Sequence, residues 1–569
     1  MQHLLRFLKP YRKELILGPF FKLLEAVFEL IVPVVMAKII DNGIAKGDAA
    51  YVGKMCALIV LLGICGLGFA LTCQYFAAKC AFGFGTDLRS ALYRHINTLS
   101  HTEIDRFGTS TLINSITSDA TSAQTGVNMF IRLAVRAPFL IIGAIVMALL
   151  IDVKLSLIFL IIAPIVGLLL YFVMNRTVPM YRRNQQKLDT IARHTGENLD
   201  GMRVIRAFSR QKQEKDEFSQ ECADLEQSML AVGRISAILN PLTFMIMNLG
   251  IVAVIWFGGM QINTGSLTQG DLTAFANYMT QILLAMVVMA NLIVILTKAQ
   301  ASALRVQDVL STPSSMTEGT AQPDRESEEV ISFSHVDFAY AGAGDNSLDD
   351  ISFTLKKGQT LGIIGGTGSG KSTLASLIPR YYDAKSGEIR IFGKPVQEYD
   401  TKALRKLIGV VPQKALLFSG TIAENLRWAD ADADEVQMQK ALDIAQAAEF
   451  VGKLQYGMNT HLVQGGRNLS GGQKQRLTIA RALTGQPAIL ILDDSMSALD
   501  YATDLALRTA LKEQCSDMTI IMISQRATSL MDADLILVMD DGRCTGLGTH
   551  EELLEHCEEY REIYNSQMS

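Results

Sequence analysis

The chain has 569 residues, 49% of them hydrophobic and 19% charged, with a formal net charge of −5. That length is too great for one core and implies at least two domains, and the mild negative charge gives no basic field for nucleic acid. The eight cysteines form no C-x-x-C pair and no Cys/His cluster, which argues against a zinc site or a disulfide framework and for reduced thiols.

The basic opening, Met1–Lys13, precedes an apolar run that is too long for a cleavable signal and has no small-residue cleavage site. Apolar runs long enough to cross a bilayer recur at roughly 15–40, 55–78, 133–151, 155–174, 238–261 and 272–297. Six spans are therefore expected. Long charged helical stretches should separate the second span from the third and the fourth from the fifth. Lys and Arg crowd the N-terminus and both long connections, while the loop after the fifth span has none. This distribution places both termini and both long connections in the cytosol, with the chain multi-pass in the inner (cytoplasmic) membrane and its lipid bilayer.

Charged residues inside these spans need an explanation, because bare charges in a bilayer are costly. Span one holds Lys22, Glu25 and Glu29, and span three begins with Arg132 and Arg136. The glutamates are four residues apart, as are the arginines, so each pair shares a helix face. Counted from the outer ends of their spans, Glu25 and Arg136 lie at similar depths of about 22–24 Å. Two readings stand. The charges form an interhelical ion-pair network, or the acids line an inward cavity and attract cationic molecules. Met245, Met247, Met279, Met286 and Met289 likewise read either as a pliable pocket wall or as ordinary helix packing.

The membrane domain is expected over 1–310. A Pro/Ser/Glu-rich stretch, Ser311–Glu329, reads as a linker. From residue 330 to 569 strand-like and helix-like runs alternate, implying an α/β domain on a largely parallel sheet. Within it Gly365-Gly366-Thr367-Gly368-Ser369-Gly370-Lys371-Ser372 matches the phosphate-binding loop G-x-x-x-x-G-K-[ST]. Strand 360–364 leads into it and a helix starts near Lys371, so backbone N–H groups and the helix dipole favour phosphate. Lys371 is expected to reach the β- and γ-phosphates of ATP, and Ser372, beside Thr373, to ligate Mg²⁺ together with Asp493 at the end of a later apolar strand.

Four further segments carry a family resemblance. Leu469-Ser470-Gly471-Gly472-Gln473 is similar to the ABC signature, Val411-Pro412-Gln413 to the Q-loop, Ser497-Ala498-Leu499-Asp500 to the D-loop, and Phe338-Ala339-Tyr340 to the A-loop. The chain resembles an ABC exporter half: an α-helical membrane domain of six transmembrane helices with long cytoplasmic extensions, fused to an α/β P-loop nucleotide-binding domain. The resemblance implies that Tyr340 stacks on adenine and that Gln413 serves the Mg²⁺ and the attacking water. It also implies that two such domains close over two ATPs, Ser470, Gly471, Gly472 and Gln473 serving the ATP held by the partner and Asp500 lying at the same interface. The chain departs from the family at its own site. Asp494 stands where Glu is usual, Gln525 where the switch His is usual, and Thr460-His-Leu-Val-Gln464-Gly465-Gly466 differs from Thr-Glu-Val-Gly-Glu-Arg-Gly. Poor own-site hydrolysis beside an intact signature resembles the degenerate-site subunit of bacterial heterodimeric multidrug exporters. A heterodimer with a second half-transporter is therefore expected rather than a homodimer, moving small hydrophobic or cationic molecules. A lipid or peptide exporter, and an ATP-gated channel or regulator without transport, are the alternatives.

Overall fold

The computed structural model describes residues 2–324 and 327–568. Arg325 and Glu326, inside the stretch read as a linker, lie outside the described residues, as do Met1 and Ser569. The chain divides into two compact units, one of Met1–Ile96 with Ser110–Ser311 and one of Asn97–Thr109 with Thr312–Ser569.

The first unit is helical. Five helices are long and apolar enough to cross a membrane: Ala49–Ile96, Thr109–Ile151, Val153–Asp200, Gln211–Asn263 and Gln269–Ser311. Where a sixth span was expected, at 15–40, the structure has the 27-residue helix Arg12–Lys38, whose middle carries Lys22, Glu25 and Glu29 and so lacks an uninterrupted apolar stretch. A helix of 48 residues, such as Val153–Asp200, is about 72 Å long, more than twice a ~30 Å hydrocarbon core. Val60, Ile64, Leu67 and Leu71 are exposed at helical spacing, the pattern of a face built for lipid rather than water.

Four of the five intramembrane charges are paired. Lys22 Nζ sits 2.6 Å from Glu25, and Arg136 Nη2 donates to both oxygens of Glu29 at 2.6 and 2.9 Å. Matching by depth had set Arg136 beside Glu25. Its actual partner is one turn further along, about 6 Å and within the reach of an arginine side chain. Arg132 makes no ion pair among the described residues.

Pro33 lies inside helix Arg12–Lys38 and cannot donate to the carbonyl four residues back. That carbonyl is Glu29 O, and Gln281 Nε2 from another helix donates to it at 3.2 Å. One residue on, the buried Tyr278 hydroxyl donates to Leu30 O at 2.7 Å. The carbonyl freed by the proline thus finds a partner inside the bundle, as an apolar solvent demands. Glu29→Gln should strand the Arg136 charge and lower the midpoint of thermal unfolding in detergent, a loss of about 1–3 kcal/mol. Arg136→Met added to it should recover most of that loss.

The second unit carries two main sheets. Strands β1 (Glu329–Phe338), β2 (Leu348–Lys356), β4 (Ser386–Ile391) and β5 (Lys394–Pro395) form an antiparallel sheet ordered β2-β1-β4-β5. The larger sheet uses β3 (Thr360–Gly365), β6 (Ile408–Val411), β9 (Ile489–Asp493), β10 (Thr519–Ile523), β11 (Leu535–Asp540) and β12 (Arg543–Gly548). Its order is β12-β11-β3-β10-β9-β6, parallel except for the β11–β12 pair. A short pair, β7 (Gly420–Thr421) with β8 (His461–Leu462), stands apart. Strands β3 and β9 are buried almost throughout, as expected where helices cover both faces.

Residues 97–109, read as part of the first membrane connection, cluster with this unit. Helix His101–Phe107 is closed by a capping box between Ser100 and Glu103, and the Glu103 carboxylate also accepts from Ser315 N–H at 3.3 Å. The polar stretch taken for a linker is fastened elsewhere too, with Ala321 N–H donating to Glu398 O at 2.8 Å. A Cβ on Gly319 would meet Glu398 O at 2.0 Å, so only glycine permits that approach.

Candidate nucleotide-binding site

Strand order explains how motifs far apart in sequence meet. β3, β10, β9 and β6 are consecutive neighbours in the parallel sheet, so the segments leaving their carboxyl ends sit side by side. Those segments are the glycine loop, the turn with Gln525, the pair Asp493-Asp494, and Gln413. Ligands of open α/β sheets bind at such carboxyl ends.

The loop has a conformation that demands its glycines. Gly370 has φ 95°, and a Cβ there would meet Leu348 Cδ2 and Ser347 O at 2.8 Å. At Gly365 a Cβ would lie 2.0 Å from Met539 O. Gly366 and Gly368 have open space instead, and Thr367 is exposed, leaving backbone accessible to a phosphate. The Lys371 ammonium donates to Gly365 O at 3.0 Å, to Gly366 O, and to the buried Ser369 Oγ at 3.1 Å. Ser372 Oγ donates to Asp493 Oδ1 at 2.9 Å, so two oxygens suited to Mg²⁺ are already adjacent. Burial pushes the Asp493 carboxyl up from its usual range, the Asp494 charge adding and the Ser372 hydrogen bond opposing. Burial also lowers the Lys371 ammonium. An oxyanion against Lys371 and a cation against Asp493 would each offset these desolvation costs, and the residues fit ATP with Mg²⁺.

The altered positions are here as well. Asp494 adopts φ 44°, rare for a residue with a side chain. Its N–H donates to Ile523 O at 3.0 Å, and its Oδ2 accepts from Gln413 Nε2 at 3.1 Å. Gln413, expected to serve the metal, thus gives its amide to Asp494. Gln525 is exposed, and its backbone carbonyl accepts from Gln567 Nε2 at 2.7 Å. Gln567 Oε1 in turn accepts from Ala527 N–H at 2.8 Å. This residue of the last helix fastens the Gln525 turn from both sides, and no motif pointed to it.

Tyr340 is 38% exposed, leaving ring surface for a base. Its hydroxyl lies 3.2 Å from Thr373 Oγ1, and its ring meets Phe338 and Tyr382 edge-on at 4.9 and 5.3 Å. The Tyr382 hydroxyl donates to Asp105 Oδ2 at 2.6 Å. Burial, then that hydrogen bond, raises the Tyr382 phenol well above its usual range, so it stays a donor. Tyr382 had no motif to mark it either; its place beside Tyr340 depends on tertiary packing.

The signature residues are presented outward. Ser470 caps helix Gly471–Thr484: its Oγ accepts from Gln473 N–H at 3.3 Å, and Gln473 Oε1 accepts from Ser470 N–H at 2.9 Å. Gly471 has open space around it, and a Cβ on Gly472 would lie 3.3 Å from Ala498 O. None of them hydrogen-bonds to the glycine loop among the described residues. Asp500 caps helix Tyr501–Gln514 by accepting from Thr503 N–H and Oγ1 at 3.0 and 2.8 Å. The N–H bond chiefly holds its carboxyl below the usual range.

Comparison with known proteins agrees with this architecture. Residues 15–286 match the ABC transporter transmembrane region and residues 348–497 the ABC transporter domain. An uncharacterized ABC transporter ATP-binding protein of Mycobacterium tuberculosis is 39% identical over 567 residues, 98% of this chain and 97% of the relative. A multidrug efflux ATP-binding/permease protein of Mycobacterium bovis is 32% identical over 97% of this chain but 46% of its own length. An ATP-dependent lipid A-core flippase of Haemophilus ducreyi is 29% identical, with 100% and 98% covered. In fold, the structure of a bacterial Atm1-family ABC exporter with ATP bound superposes with a TM-score of 0.81 at 23% identity, 98% of each chain being covered. The chain belongs to the ABC transporter family, as a membrane-spanning exporter half-transporter whose transmembrane region is fused to its ATP-binding domain.

Proposed function

We propose that the chain is one subunit of an ATP-driven exporter of amphipathic, drug-like small molecules, and that it pairs with a different half-transporter to build two unequal ATP sites. The observation that carries this is the meeting of Asp494 and the turn of Gln525 with the glycine loop at adjacent strand ends, while Ser470–Gln473 keeps a complete capped signature. A general base must come within about 2.6–3.2 Å of the proton it takes, and Asp is one methylene, about 1.5 Å, shorter than Glu. Asp494 therefore falls short of a water placed for Glu. Gln525 cannot bring the positive charge of a histidine to a γ-phosphate. The site formed by Lys371, Ser372 and Asp493 holds ATP and Mg²⁺ and turns over slowly. The partner's site, completed by Ser470, does the hydrolysis.

In this reading helix Arg12–Lys38 is the sixth span, its charges neutralised within the bundle. Both termini and the ATP-binding domain face the cytosol, and the membrane is the cytoplasmic one. The multidrug name of the M. bovis relative favours drug-like cargo. The flippase relative, which aligns over nearly its whole length, favours a lipid as the second reading. Purified alone, the chain should bind ATP yet hydrolyse it at least about tenfold more slowly than when co-purified with a half-transporter carrying Glu and His at the two positions. Equal turnover by the chain alone would sink the proposal.

A further inference from the structure

Four acidic side chains of the helical unit are held by cations of this same chain. Glu14 is held by Lys79 at 2.8 Å, Glu25 by Lys22 at 2.6 Å, Glu29 by Arg136 at 2.6 Å, and Asp119 by Arg305, whose Nε is 2.9 Å away. Asp87 accepts from the Tyr11 hydroxyl at 3.1 Å. It lies two residues from Arg89, a spacing that turns the two side chains to different helix faces. Lys298 and Arg89 have no acid paired with them among the described residues. Lys298 makes no ion pair or hydrogen bond among the described residues. Arg89 spends two donors on neutral groups, Gln124 Oε1 at 3.0 Å and Thr121 Oγ1 at 2.8 Å.

These two cations line one recess of about 840 Å³ within the helical unit, together with Thr117, Thr121, Ser122 and Thr125, and no carboxylate lines it. The threonine hydroxyl protons are already committed, since Thr117, Thr121 and Thr125 donate to the carbonyls of Ile113, Thr117 and Thr121 at 2.8, 2.7 and 2.9 Å. The Thr121 and Gln124 oxygens keep Arg89 in place, and the charges of Arg89 and Lys298 remain for a ligand. Ile116 and Ile295 add apolar wall.

We propose that this recess receives the anionic head, a carboxylate or phosphate, of an amphiphile whose tail lies along the apolar wall. The inference rests on the exporter reading and narrows its cargo from cationic to anionic. A cation would meet Arg89 and Lys298 uncompensated, whereas Glu25 and Glu29 are already neutralised.

The test uses the full chain in phosphatidylcholine nanodiscs and pyrene-tagged alkyl probes that differ only in the head: carboxylate, phosphate, carboxamide and trimethylammonium. The better of the two anionic probes should bind about tenfold tighter than the carboxamide, and which one it is names the head. Lys298→Glu, at an exposed position without partners, should erase that preference, and Lys298→Arg should keep it. Equal affinity across heads, a trimethylammonium preference, or an unchanged preference in Lys298→Glu overturns the proposal. ATP-driven efflux from vesicles is read separately. Head preference without transport of any probe sinks the exporter reading alone, and transport without head preference sinks the recess alone.

Discussion

Ser470→Asp in this chain should cut ATP turnover by the assembled transporter about a hundredfold while leaving ATP binding at Lys371 unchanged. The substitution separates two roles of one side chain. Asp is as good a helix N-cap as Ser, so the bond to Gln473 N–H and helix Gly471–Thr484 survive. What changes is charge: a carboxylate replaces a neutral hydroxyl on the outward surface that includes the open backbone of Gly471. On the proposed assembly that surface meets the γ-phosphate held by the partner. Loss of one donor to a transition-state oxyanion costs on the order of 10²–10³ in rate, and a like charge in its place adds repulsion. Photolabelling with an azido-ATP and phosphate release, on the same preparation, check the two halves. Loss of labelling on this chain would place Ser470 at its own site, and full turnover would remove the signature from the catalysis.

Much of the ATP site was legible because its chemistry is local. The glycine loop needs particular residues at consecutive positions, and Gly365 and Gly370 show why in their clashes and positive φ. Asp493 followed a readable apolar run, and parallel strands put such ends together. What stayed hidden depends on contacts between segments distant in sequence. Residues 97–109 read as membrane connection until Glu103 is seen to accept from Ser315. The stretch 311–329 has a linker's composition, and its hydrogen bonds to Glu103 and Glu398 leave no trace in composition. Depth along a helix matched Arg136 to Glu25, whereas its side chain reaches Glu29. Tyr382 and Gln567 act through one phenol and one amide, residue types too common to signal anything alone.

Asp494→Glu combined with Gln525→His should convert the chain into a self-sufficient ATPase. The chain keeps a glycine loop, a Ser372–Asp493 pair and a capped signature, and on the proposed reading what limits it first is a base of the right length and a cationic switch. In a homodimer each restored site would be completed by the other copy's Ser470. Restoring a general base is worth on the order of 10²–10⁴. Asp494 sits at φ 44° with its oxygen on Gln413, and a longer side chain must release that amide to reach water, so a gain of about thirtyfold is the realistic expectation. The activity should rise with the square of chain concentration at low occupancy of the dimer, and Ser470→Asp in the same chain should abolish it. The order of addition also carries information. Asp494→Glu alone should supply most of the gain, because the base acts on the proton in flight while the residue at 525 only adds charge to its surroundings. If neither variant raises phosphate release while cross-linking shows the dimer formed, then the slow step lies outside Asp494 and Gln525. The segment Gln464-Gly465-Gly466, with Gly465 and Gly466 at φ 71° and 61°, is the next place where this site departs from the family pattern.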